Sequence, residues 1–161
     1  MRAPCPVLLV KKPAKTFNRA VIGADGSVES WEAVALLRQL PMKVRPAVTA
    51  ASIIPPLPLK SLRVPARAIA VGSQVEGILR REAQKLTARV AGTLRQAGFS
   101  TKGIVLSGSP GAELVQLARR ERANLVVVGS RGGRSPEAYF VGSVADTVVK
   151  YAPCSVLVYR R

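Results

Sequence analysis

Apolar residues change their spacing repeatedly along this chain, and that alternation constrains the fold more than any single motif. Short apolar runs of strand character occupy residues 18–24, 47–54, 102–107, 125–128 and 155–159. Between them apolar residues recur every three or four positions, as on one face of a helix. Val28, Trp31, Val34, Leu37 and Leu40 mark the first such stretch, with Asp25 or Ser27 as its cap and Pro41 as its end. Residues 55–73 hold four prolines and read as a loop. Val75, Leu79, Ala83, Leu86, Val90, Leu94 and Ala97 then mark the longest helix, stopped by Gly98. Ser109 and Pro110 supply an N-cap and a first helical residue for the stripe Leu114, Val115, Leu117 and Ala118. Val144, Val148 and Val149 mark a last helix.

Strands alternating with helices in this way predict an α/β fold. Its five-stranded parallel sheet carries helices on both faces, joined by right-handed crossovers. Composition agrees. Hydrophobic residues make up 48% of the chain but aromatics only 4%, so the core is built from Val, Leu, Ile and Ala, which suits strands covered on both faces.

Ligands of such sheets bind beyond the carboxyl ends of the strands, where the strand order reverses. Two glycine turns fall at such ends: Asp25-Gly26-Ser27 after the first strand, and Gly129-Ser130-Arg131-Gly132 after the fourth. Nine residues separate Gly132 from Gly142, and Ser143 opens the last helix. Glycines let the backbone approach a ligand closely. Successive backbone N–H groups form an anion-binding nest, and a helix N-terminus directs its free N–H groups at the same place. Ser143 adds a hydroxyl, and Arg131 or Arg134 a charge-assisted bond. The pattern points to phosphate.

Gly-x-x-Gly, nine residues, then Gly-Ser resembles the nucleotide signature of the ATP-binding universal stress proteins. Val-Val-Gly-Ser-Arg-Gly at 127–132 and Ala-Pro-Cys-Ser-Val-Leu-Val at 152–158 are similar to that family's last two strands, and Asp25-Gly26-Ser27 to its first turn. The resemblance covers roughly residues 18–160. It implies an adenine-nucleotide α-hydrolase-like, Rossmann-like sheet that binds ATP as a regulatory or stress-response module. It places Asp25 at the nucleoside and Ile53 beside the adenine. Gly129, Ser130, Arg131 and Gly132 lie along the ribose and phosphates, and Gly142 and Ser143 hold the phosphates. A Mg²⁺ or Mn²⁺ ion is then held by the nucleotide rather than by protein side chains. The family also implies a homodimer through the last strand. The chain departs from the family at residues 133–141, where Pro136 and polar neighbours replace a Leu-rich stretch. It departs again at Ser109 and Pro55, where acids are common.

Histidine is absent, which excludes Ser-His-Asp triads, His-ligated zinc and His-based acid–base catalysis. No P-loop is present, and the first turn lacks the Ser-Gly-Gly-x-Asp-Ser of ATP-pyrophosphatases. No enzyme is expected, and any ATP hydrolysis should be slow. Cys5 and Cys154 show no metal or redox spacing, as expected of reduced thiols in a cytoplasmic protein. No apolar run reaches the roughly 20 residues of a membrane helix. The net charge of +16 favours anionic partners, so the competing reading is a basic nucleic-acid-binding or scaffold protein on the same fold, with no nucleotide bound.

The two ends of the chain echo each other. Ala3-Pro4-Cys5, then Val7 and Leu8, matches Ala152-Pro153-Cys154, then Val156 and Leu157, at five of six positions. Residues 1–12 therefore read as the last strand of a preceding, similar domain, and 13–161 as the domain itself. Such a strand should lie on a sheet edge or cross to a partner chain, since an unpaired apolar strand invites aggregation.

Overall fold

In a computed structural model of the protein, residues 5–11, 16–56, 66–130 and 143–160 are described, the side chains of 66–71 and 73 excepted. The five expected parallel strands form a single sheet. In chain order the elements are β1 (Val7–Leu9), β2 (Arg19–Gly23), α1 (Val28–Gln39), β3 (Ala47–Ile54), α2 (Ala66–Gln96), β4 (Thr101–Ser107), α3 (Pro110–Arg120), β5 (Leu125–Gly129), α4 (Ser143–Tyr151) and β6 (Ser155–Tyr159). The strand order is β1-β6-β5-β2-β3-β4. All neighbours from β6 to β4 pair in parallel, while β1 lies antiparallel against β6 as a sixth, edge strand.

The central strands are apolar without alternation because both faces are covered. Ala20, Val21 and Ile22 of β2 and Leu125, Val126, Val127 and Val128 of β5 are all buried. On one face Val21, Val126 and Val156 pack under Leu114 and Ala118 of α3 and Ala145 and Val148 of α4. On the other, Ile22, Val127 and Leu157 pack under Val34 and Leu37 of α1 and Val90 and Leu94 of α2. The two-sided helical cover expected from the periodicity is present.

The loop expected over 55–73 is shorter than that. Helix α2 starts at Ala66. Beyond Pro65 no proline interrupts the Ala-rich run, and Gly72 costs a helix only about 1 kcal/mol, too little to stop one this long. Its apolar stripe meets the sheet from Ala83 onward, whereas Val75 and Leu79 stay exposed, at 38% and 39%. Ser109 takes the N-cap position of α3, but its side chain makes no capping bond.

Helix packing is close enough to discriminate between glycines. A Cβ on Gly111 of α3 would lie 2.7 Å from the Cβ of Thr147 on α4, while one on Gly77 of α2 would meet nothing within 4 Å. Gly111→Val is therefore expected to destabilise the fold by about 1–3 kcal/mol through overpacking. Gly77→Ala is expected to stabilise it by about 0.5–1 kcal/mol through helix propensity. Urea unfolding of both variants against the parent measures the two signs.

Candidate functional site

Chain order places β3 and β4 on one side of β2, and β5 and β6 on the other. The strand order thus reverses between β2 and β5, and a crevice is expected beyond their carboxyl ends. A cleft of about 230 Å³ lies there. Its wall is mostly apolar, with Ile53, Pro55, Pro110, Leu114, Val128 and Val144 facing two polar groups, Asp25 and Ser30.

The turn after β2 is built by its own side chains. Ala24 N–H donates to the Ala51 carbonyl at 2.8 Å, which holds the end of β2 to β3. Gly26 has φ +80°, a conformation that favours glycine. Asp25 Oδ1 accepts from the Ser27 N–H at 2.9 Å and the Ser27 hydroxyl at 2.6 Å. Ser27 Oγ in turn accepts from the Ser30 N–H at 3.2 Å, so Ser27 is the N-cap of α1 and Asp25 orients it. This resolves the choice between the two caps. Both of these bonds use Oδ1, and Asp25 stands exposed at the cleft.

Gly129, at the end of β5, lines the same cleft, but its glycine requirement is local. A Cβ there would lie 3.0 Å from the backbone carbon and the Cβ of Glu29, because the first turn of α1 crosses directly over it. The Ser130 N–H is also committed, donating to the Tyr159 carbonyl at 2.7 Å. The structure therefore gathers Asp25, Ile53 and Gly129 around the cleft, keeps Ser130 buried behind it, and places Ser143 at the start of α4, next to the lining residue Val144. Arg131, Gly132 and Gly142 lie outside the described residues, as do Arg134 and Pro136.

Ser30 is not among the residues that the sequence singles out. It is 4% exposed, lines the cleft, and its hydroxyl has no hydrogen-bond partner among the described residues. Its position on the core-facing side of α1, three residues after the cap, was the available clue. Among the described residues no group of three His, Cys, Asp or Glu side chains could cage a metal ion.

These features define a class: a doubly wound parallel α/β domain with a cleft at the switch point, the Asp25 carboxylate at its rim and a helix N-terminus alongside. The universal stress protein family model matches residues 16–160, and the chain belongs to that family. Universal stress protein MJ0531 of Methanocaldococcus jannaschii is 28% identical over 155 residues, covering 95% of this chain and 88% of that protein. Among solved structures, MJ0577 of the same organism superposes with TM-score 0.78 at 23% identity, covering 91% of this chain and 97% of its own. A universal stress protein family member from Arabidopsis thaliana, solved with AMP bound, gives TM-score 0.61 at 14% identity, covering 89% and 92%. One from Archaeoglobus fulgidus gives TM-score 0.62 at 18% identity and covers 99% of this chain but 51% of its own.

Removing the cap tests the local construction. Ser27→Ala should lower stability by about 1 kcal/mol, since the Ser30 N–H loses its acceptor and Asp25 loses the hydroxyl that it orients. A shift in the thermal midpoint, with the folded-state circular dichroism unchanged, is the expected reading.

Proposed function

We propose that this universal stress protein binds an adenine nucleotide in the cleft between β2 and β5, and that it acts as a regulatory module rather than an enzyme. The observation that carries this reading is the cleft's division of labour. Apolar walls from Ile53, Leu114, Val128 and Val144 suit a flat base, and the one carboxylate on the rim, Asp25, suits ribose hydroxyls. At about 230 Å³ the cleft falls below the roughly 300–1,000 Å³ of pockets that enclose a whole drug-sized ligand. It would therefore take the nucleoside and leave the phosphates outside. They would extend to the N-terminus of α4, whose free N–H groups favour anions. The spacing of Gly129, Gly132, Gly142 and Ser143 supports ATP as the nucleotide, and the AMP carried by the Arabidopsis relative supports an adenine nucleotide in this fold. Mg²⁺ or Mn²⁺ would come with the phosphates.

Hydrolysis has little to work with. Among the described residues that line the cleft, Asp25 is the only carboxylate, and its turn-forming bonds hold it at the nucleoside end. Slow turnover at most, cytoplasmic location and self-association through the last strand complete the reading. The rival reading, a basic surface for nucleic acid, draws less support. Arg80 donates to Ser107 Oγ, Arg95 to the Thr101 carbonyl, Lys85 pairs with Glu82, and Arg89 stacks on Trp31 at 5.2 Å. Much of the basic face of α2 thus serves its own chain.

Titration calorimetry with ATP and AMP, each with and without Mg²⁺, tests the proposal. The parent should bind, and Asp25→Asn should bind roughly tenfold more weakly, the loss expected when a charged acceptor becomes neutral. The asparagine keeps an oxygen for Ser27, so the fold is retained. Absence of heat with either nucleotide, under both conditions, would refute the reading.

A further inference from the structure

Helical hydroxyls in this chain usually bond back to a carbonyl one turn earlier. Thr87 Oγ1 donates to the Ala83 carbonyl at 3.0 Å, and Thr147 Oγ1 to the Ser143 carbonyl at 2.7 Å. Ser30 does not. It is 4% exposed, and its Oγ has no hydrogen-bond partner among the described residues. Thr101 and Ser130 share that lack, but neither lines the cleft, and Ser30 does. A buried hydroxyl without a partner weakens a fold, and alanine in its place would also favour the helix. Neither the packing nor the helix calls for this hydroxyl, and its place at the cleft points to a ligand.

Ser30 is tied to Asp25 through Ser27. The Ser30 N–H donates to Ser27 Oγ at 3.2 Å, and the Ser27 hydroxyl donates to Asp25 Oδ1 at 2.6 Å. Asp25 Oδ2 enters neither of the turn's two bonds. The turn and the start of α1 thus bring two polar side chains to a cleft whose other side chains are apolar. Their capacities differ: a carboxylate only accepts, whereas a hydroxyl donates and accepts. Two neighbouring hydroxyls on a sugar ring match this pair, one donating to Asp25 and the other exchanging a bond with Ser30. A serine hydroxyl turns about a single bond between staggered positions, so Ser30 can swing toward a ligand seated beside it while the helix stays in place.

We infer that Ser30 is a specificity-determining residue of the cleft, and that with Asp25 it reads the two ring hydroxyls of a ribonucleoside. The inference rests on the nucleotide reading of the cleft and adds a preference for ribose over deoxyribose. Asp25 takes one hydroxyl and Ser30 the other, so each deoxy sugar leaves a different protein group unpaired, and a site built to bond a hydroxyl discriminates against the analogue that lacks it. In the unliganded chain the Ser30 hydroxyl goes without a partner, and the ligand supplies one.

Calorimetry with ATP, 2′-deoxy-ATP and 3′-deoxy-ATP, on the full chain and on its Ser30→Ala variant, tests the assignment. The parent should bind ATP more tightly than either analogue by roughly fivefold, about the value of one hydrogen bond. Ser30→Ala should weaken ATP by a similar factor and leave one analogue unchanged, the one that lacks the hydroxyl Ser30 meets. The unliganded variant should melt roughly 2–4 °C above the parent, because the unpaired hydroxyl is gone. Weakening of all three nucleotides alike, or of none, would overturn the assignment. A lowered midpoint would do the same, since the hydroxyl would then have a partner in the unliganded fold. A parent that binds all three equally overturns the role of Ser30 and leaves the nucleotide reading standing. A parent that binds none of them refutes the nucleotide reading, and the assignment falls with it.

Discussion

Parallel pairing of β2 with β5 is the contact on which the rest of the molecule depends. Ala20, Val21 and Ile22 oppose Leu125, Val126 and Val127, and every one of these side chains is buried. The two strands are far apart in the chain, so their pairing closes a long loop that holds α1 to α3. Asn124 pins its lower end. Its Oδ1 accepts the N–H groups of Asn18 and Arg19, its Nδ2 donates to the Thr16 carbonyl, and its own N–H reaches the Arg19 carbonyl. These bonds satisfy backbone groups that would otherwise be unpaired where two parallel strands begin. At the upper end no strand lies between the diverging crossovers, and the cleft opens there. The cleft is thus a consequence of topology before it is a consequence of any motif.

This ordering changes what the glycine pattern means. Gly129 belongs to the signature, yet the immediate demand on it comes from α1, whose first turn passes over it so closely that a Cβ would lie 3.0 Å from the Glu29 backbone. The close approach also shapes the cleft, because it brings the first turn of α1, with Ser30, to the lining beside Asp25. A glycine can be needed for packing and for the site together when the packed element is itself part of the site. The Ser130 amide differs. It completes the bonding between β5 and β6, so any anion near this turn must find other donors.

Much of the fold is legible in the sequence because the parallel strands are continuous apolar runs and the helices carry clean stripes. The strand over 47–54 and the strand over 155–159 fall where the periodicity places them. What is not legible shares a physical cause: it depends on contacts rather than on local preference. The first two turns of α2 carry glycine at 72 and serine at 73 near a proline-rich stretch, so local preference favours a loop, while the helix runs through them. For the site, Asp25 is legible because it stands in the turn beyond a strand's carboxyl end, where such sheets bind ligands, although its two bonds from Ser27 give it a structural role as well. Ser30 is not, because a serine at helical spacing reads as a polar residue on a half-buried face. Thr101 and Ser130 also bury hydroxyls without a partner among the described residues, and it is the cleft lining that singles out Ser30.

The N-terminal strand joins the two levels. Its echo of β6 is plain in the order of its residues, but an echo alone cannot say whether the copy is exposed, swapped or folded back. In the structure β1 pairs antiparallel with β6 of its own chain and closes that edge of the sheet. An edge strand left open presents unpaired N–H and C=O groups to any other strand. Natural sheets blunt such edges with short strands, charges or covers, and β1 is short, with Lys11 at its end. Two of its three side chains, Val7 and Leu8, are nevertheless those of Val156 and Leu157 in β6. A cover selected only to prevent aggregation would have no reason to reproduce Val7-Leu8 and the basic residue three positions later. Likeness to the strand it covers explains the fit instead: with an apolar pattern like that of β6, β1 brings Leu9 onto the cluster that holds Val156 and Val158, and closes the edge opposite β4.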